Sequence, residues 1–147
     1  MTKILFICLG NICRSPMAEF IFNDMARKAG RNDLLAASCA LSREEEDNDM
    51  YPPAQRCLRA HGVPFANRHA RQLTRADYTG WDLLVVMEPH QLGAASRLLG
   101  GDPQGKLRLL LDYAGEHRAV ADPWYTDDFE TAYEDICRGC RGLLAQL

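Results

Sequence analysis

Lysine is scarce in this 147-residue chain: Lys3, Lys28 and Lys106 are the only three among 17 basic residues. The cations are therefore mostly arginines, whose planar fork suits oxyanions, although composition alone does not establish such a role. Acidic residues number 20 and the formal net charge is −3. That balance lacks the broad positive field of a general nucleic-acid binder. Long apolar runs are missing as well. No window approaches the ~18 consecutive apolar residues of a membrane span. Lys3 and a short apolar stretch run straight into Gly10-Asn11, which is not the layout of a signal peptide. The expectation is a cytoplasmic protein with neither nucleic acid nor membrane as partner.

The six cysteines do not form a recognisable framework. Cys8, Cys13, Cys39, Cys57, Cys137 and Cys140 are scattered over a chain long and apolar enough to need no staples. Cys137-x2-Cys140 has no second such pair, and joining it to Cys8 and Cys13 gives atypical zinc spacing with the histidines elsewhere. Reduced, mostly buried thiols and no metal are expected. Also missing are the second glycine and lysine of a Walker loop, and any G-x-G-x-x-G. No repeat, linker or low-complexity tract divides the chain, so residues 1–147 are expected to form one domain.

What remains is an alternation of strands and helices. Apolar runs at 3–8, 34–41, 82–87 and 106–111, the first with β-branched and aromatic content, predict four strands. Between and after them, helices are expected from Ser15-Pro16 to Gly30, over 53–61, from Pro89 to Gly100 and over 127–146. Ser15 reads as the N-cap of the first helix and Pro16 as its first helical residue. This pattern implies an α/β domain of three layers, a parallel sheet with helices on both faces. Ligands of such sheets bind beyond the carboxyl ends of the strands.

The stretch "CLGNICRSP", residues 8–16, lies at such an end. Leu9, Gly10, Asn11, Ile12 and Cys13 make a turn whose backbone N–H groups can converge on an anion. Gly10 and Asn11 tolerate the positive φ angles of such a nest. The following helix adds its positive dipole end, and Arg14 a bidentate fork for two phosphate oxygens. Cys8 at the base of this bowl meets surroundings that favour a thiolate, and the Ser15 hydroxyl can donate to it. A sulfur nucleophile acting on phosphorus needs an acid for the departing oxygen. Asp122 fits: it follows the fourth strand in "VADPWYTDD", where Trp124 and Tyr125 can wall a flat substrate ring.

The sequence resembles the low-molecular-weight protein tyrosine phosphatases. "CLGNICRSP", "HARQLT" (69–74), "DLLVVME" (82–88) and "DPWY" (122–125) occur in that family's order and spacing. The resemblance implies a four-stranded sheet of order 2-1-3-4 and hydrolysis of phosphotyrosine or aryl phosphate through a cysteinyl-phosphate, with no cofactor. By that match Cys8 is the nucleophile, Arg14 the phosphate clamp and Asp122 the general acid, then the base. Ser15 supports the thiolate, Asn11 holds the strained loop backbone, and His69 and Arg71 serve the scaffold. Phosphotyrosine-containing proteins are the implied substrates, and inorganic phosphate or other oxyanions the implied inhibitors.

Two departures bear on substrate choice. "ASCALS" (37–42) replaces a common Ser-Ala-Gly-Thr, and "REEED" (43–47) stands where the family often has an aromatic residue or leucine near the pocket mouth. Arsenate reductases share the fold, but residues 79–99 lack the cysteines they need. A phosphoarginine phosphatase is the nearer rival; that branch typically has threonine where this chain has Ile12. A phosphoprotein-binding module without turnover is the third reading, and such a module would not need Asp122.

Overall fold

The computed structural model describes residues 1–147. Its strands are β1 (Thr2–Cys8), β2 (Leu34–Ala40), β3 (Leu83–Val86) and β4 (Leu107–Leu109). They form one sheet of order β2-β1-β3-β4 in which every neighbouring pair is parallel. The helices are α1 (Arg14–Lys28), α2 (Pro52–Ala60), α3 (Asp77–Gly80), α4 (Pro89–Leu99), α5 (Pro123–Thr126) and α6 (Phe129–Ala145). The expected α/β class and strand order are both observed.

Strand β1 shows why the sheet is covered on both sides. Ile4, Phe6 and Cys8 join the core beneath α1 and α6, whereas Leu5 and Ile7 join the core that includes Ala95 and Leu99 of α4. All four residues from Ile4 to Ile7 are fully buried, as the alternating geometry of a two-faced central strand demands. The chain leaves β1 for β2 on one side and later returns to β3 on the other. Cys8 therefore stands at the switch point of the sheet.

Three element boundaries differ from expectation with a structural reason. The fourth strand covers only Leu107–Leu109, and the chain then tightens into a 3-10 turn, Leu110–Ala114, closed by Gly115 at φ 76°. Leu110 and Leu111 are fully buried there. Helix α6 packs directly on this turn: a Cβ at Gly139 would stand 2.5 Å from Leu110 Cγ, and one at Gly142 would collide with the Tyr113 carbonyl. Helix α6 itself begins at Phe129, because Asp127 takes a left-handed conformation and Asp128 accepts from the Thr131 N–H at 3.0 Å. Helix α1 begins at Arg14 with Cys13 in the cap position; Ser15 is not the cap, since its hydroxyl is engaged elsewhere. The short helices α3 and α5 have no counterpart in the sequence reading. No helix is long and apolar enough to cross a membrane.

Candidate active site

The segment from Cys8 to Ser15 links the end of β1 to α1, and both ends are anchored. The Cys8 and Leu9 carbonyls accept from the N–H groups of Leu41 and Ser42 at 2.9 and 3.0 Å, and the Ile12 carbonyl from Tyr51 N–H at 2.8 Å. The carbonyls thus point away, while the N–H groups of Leu9, Gly10, Ile12 and Cys13 bond to no other group of the protein. Such free, clustered donors are what an anion-binding nest supplies.

Asn11 carries the strained backbone alone. It sits at φ 61°, whereas Gly10 is not in the left-handed region. The expectation that Gly10 also supplies a positive φ is corrected: a Cβ at Gly10 would lie 3.3 Å from Glu45 Cγ, so the position calls for smallness. Asn11 is fully buried, and its side chain locks the turn. Its Nδ2 donates to Ser15 Oγ at 2.8 Å, and its Oδ1 accepts from Arg68 Nη2.

Cys8 Sγ is the convergence point. The Asn11 N–H donates to it at 3.3 Å, and Ser15 Oγ lies 2.9 Å away. Because Ser15 Oγ accepts from Asn11, its own proton is free to point at the sulfur, which is nearer than the Cys39 carbonyl at 3.4 Å. Asn11 and Ser15 brace the loop from behind. The open pocket in front is lined by Cys8, Leu9, Gly10, Ile12, Cys13 and Arg14, with Glu44, Glu45, Asp122, Trp124 and Tyr125 at its sides.

Arg14 is buried and held from three directions. Its Nη1 donates to the Val120 carbonyl at 2.9 Å and lies 3.4 Å from Glu88 Oε1, while Nη2 lies 3.5 Å from Asp122 Oδ2. Asp122 in turn caps α5, accepting from the Trp124 N–H at 3.1 Å. The segment that carries it is pinned by Asp135 of α6, which accepts from the Ala121 N–H at 3.0 Å and takes the Arg118 fork at 2.9 and 3.1 Å. Burial works against ionisation of Asp135, but the Arg118 fork and the Ala121 N–H bring its carboxyl below the usual range. Trp124 and Tyr125 are 51% and 82% exposed, and the Trp124 ring leans on Tyr51 with centroids 5.0 Å apart.

The remaining thiols differ from Cys8 in their surroundings. Burial, with the nearby Cys8 and Asp122 charges, pushes the Cys13 thiol up to about 12. Burial also raises the Cys39 and Cys140 thiols. His69 and Arg71 lie in the scaffold: His69 Nδ1 bonds the Asp47 carbonyl at 2.9 Å, and Arg71 forms a two-pronged bond to Asp77.

The structure thus gathers Cys8, Arg14, Asp122, the loop residues and the aromatic pair around one pocket. Sequence reasoning missed Glu88, Arg68 and Tyr51. Glu88 had a legible signal, since "DLLVVME" ends beside β1 at the same sheet edge.

The family model described as low molecular weight phosphotyrosine protein phosphatase matches residues 3–147. Low molecular weight protein-tyrosine-phosphatase YfkJ of Bacillus subtilis is 36% identical over 150 residues, covering 100% of this chain and 96% of the relative. Its crystal structure superposes with a TM-score of 0.94, covering 99% of this chain and 94% of that one. The human low molecular weight phosphotyrosine protein phosphatase is 33% identical over 148 residues, 97% of this chain and 93% of the relative. The crystal structure of DARP, a drosophila arginine phosphatase, is 27% identical with a TM-score of 0.89, covering 99% of this chain and 97% of that one.

Proposed function

The chain belongs to the low molecular weight phosphotyrosine protein phosphatase family and is an enzyme of that class, and we propose that it hydrolyses phosphotyrosine through a phosphate ester of Cys8. The supporting observation is the convergence of Ser15 Oγ and the Asn11 N–H on Cys8 Sγ at the mouth of a loop with free N–H donors. In this reading the loop and Arg14 bind the phosphoryl oxygens, and Cys8 Sγ attacks phosphorus. As the bond from phosphorus to the phenolic oxygen breaks, the Asp122 carboxyl gives that oxygen its proton. The Asp122 carboxylate then takes a proton from water, whose oxygen attacks phosphorus and expels the Cys8 thiolate. Ser15 supports that thiolate as it leaves. Phosphotyrosine-containing proteins are the substrates, and inorganic phosphate and other oxyanions compete for the loop.

Ile12 on the pocket wall and the exposed Trp124 and Tyr125 suit an aromatic leaving group. Glu44 and Glu45 also line the pocket, and carboxylates there suit a guanidinium; phosphoarginine is therefore the second reading. Rapid-quench kinetics on phosphotyrosine, phosphoserine and phosphoarginine test the proposal. A burst of phenol equal to the enzyme concentration, with phosphotyrosine turned over fastest, is expected. Faster phosphoarginine turnover favours the second reading, and tight binding without a burst on any substrate leaves only a binding module.

A further inference from the structure

On the far side of α2 a second group of chemically capable side chains comes together. Cys57 and His61 lie four residues apart, so one helix face presents both. Glu130, in the first turn of α6, reaches them from the neighbouring helix. His61 Nε2 lies 3.0 and 2.8 Å from the two Glu130 oxygens, and Cys57 Sγ lies 3.7 Å from Oε1. The three donor atoms all fall within 4.8 Å of one another. The His61 ring is stacked on Tyr133 at 3.8 Å and 11°, which fixes its plane.

We propose that Cys57, His61 and Glu130 form a zinc-class metal site that clamps α2 to α6. The donor set is one thiolate, one imidazole and one carboxylate, which suits a borderline ion such as Zn²⁺ or Co²⁺ and not Mg²⁺ or Ca²⁺. With the carboxylate ionised and the imidazole neutral, the three ligands together carry two negative charges, matching a divalent cation. Bond lengths of about 2.3 Å to sulfur and about 2.1 Å to oxygen set a tetrahedral S···O edge near ~3.6 Å; the observed 3.7 Å matches it. The N···O edge for the same geometry is about 3.4 Å, so the imidazole and carboxylate need to part by only a few tenths of an ångström. Three protein ligands leave a fourth position for water.

Entry is open from the His61 and Glu130 side, where the side chains are 34% and 59% exposed. Burial and the Glu130 carboxylate push the Cys57 thiol up to about 12. A coordinated ion reverses that preference, displacing the thiol proton into solvent as the metal–sulfur bond forms. The site lies apart from the catalytic pocket: none of its three ligands lines it. No paired-cysteine pattern marks it in the sequence, because its third ligand lies 69 residues beyond His61.

Cobalt titration of the full chain, under a non-chelating reductant, tests the assignment. One Co²⁺ per chain is expected to give tetrahedral bands with a thiolate-to-metal charge-transfer absorption. Affinity is expected to fall at least ~100-fold in Cys57→Ser and in His61→Gln, and to be unchanged in Cys8→Ser. His61 is partly exposed, so His61→Gln decides the matter alone if Cys57→Ser fails to fold. Absence of the charge-transfer band overturns the site. So does a band that survives in His61→Gln and disappears in Cys8→Ser, which would put the metal at the catalytic loop.

Discussion

Ser15 Oγ lies 2.9 Å from Cys8 Sγ and receives its own hydrogen bond from Asn11 at 2.8 Å, so the serine proton is free to point at the sulfur. Ser15→Ala removes that donor and leaves the pocket wall intact. In the proposed mechanism it is expected to lower kcat roughly 10- to 100-fold, about 1.4–2.7 kcal/mol of barrier. Breakdown of the phosphoenzyme, where the thiolate leaves, is the step expected to suffer most. A larger burst relative to the steady-state rate is the readout; an unchanged kcat removes Ser15 from the chemistry.

Asp122→Ala is expected to slow hydrolysis most for basic leaving groups, because a proton matters most to an oxygen that holds it tightly. Rates across phenols of graded acidity check this. A slope against leaving-group pKa equal to that of the unaltered enzyme assigns the proton to another group.

Cys13 shares the loop with Cys8, and its thiol is pushed up to about 12. Peroxide is expected to oxidise Cys8 to the sulfenic acid; the Cys13 thiolate then attacks that sulfur and hydroxide leaves. Since little Cys13 thiolate exists at neutral pH, ring closure is expected to quicken up to tenfold per pH unit between about 7 and 10. Mass spectrometry of quenched samples follows it. Accumulation of a Cys8 sulfonate without the disulfide argues that Cys13 only packs.

Only part of the acidic stretch after β2 faces the pocket. Glu46 is paired with Arg43 at 3.0 Å, and Asp49 accepts from the Met50 and Arg68 N–H groups. Glu44 and Glu45 are the two that line the pocket. Neutralising both to glutamine is expected to raise kcat/KM for acidic-flanked phosphopeptides about two- to fivefold at low salt, an effect that shrinks by ~0.15 M. A small aryl phosphate is expected to respond less. An equal response from both substrates excludes long-range repulsion.

Asp135 ties the Asp122 segment to α6 and titrates below the usual carboxylate range. Asp135→Asn is expected to cost roughly 1–3 kcal/mol of stability at neutral pH. A depressed folded-state value means that this contribution is complete above the unfolded pKa near ~3.9 and fades as pH falls through the folded value. Urea midpoints of the two proteins are therefore expected to converge in acid. A gap that persists there assigns the loss to packing.

The sheet was legible because its strands are apolar runs whose neighbours along the chain are helices. The loop after β1 was legible too, since Cys8, Arg14 and Ser15 fall within eight consecutive residues. What escaped depends on contacts between distant segments. Arg68 reaches Asn11 across 57 positions, and Arg14 meets Glu88 only after β3 has docked beside β1. The shortened fourth strand escaped for a related reason. "LRLLL" reads as continuous strand by propensity, but from Leu110 the chain tightens into the turn on which α6 packs, where Gly139 makes room for the Leu110 side chain and Gly142 for the Tyr113 carbonyl. For Ser15 the sequence carries its pairing with Cys8 but not its place inside the helix: the hydroxyl that suits a cap is engaged by the sulfur and by Asn11, and Cys13 takes the cap position.

The bond from Arg14 to the Val120 carbonyl spans 106 positions of the chain, and this has a consequence for the protein's birth on the ribosome. Cys8 is synthesised well before Val120, Asp122 and α6, which lie more than a hundred positions further along the chain. At about 5–20 residues per second, Cys8 waits on the order of ten seconds for them. Through that interval the nascent chain carries the thiol without the Val120 anchor of Arg14 and without Asp122. In the proposed mechanism, a ribosome stalled before Val120 therefore holds a chain without the Arg14 anchor or Asp122, which is expected not to turn over phosphate esters.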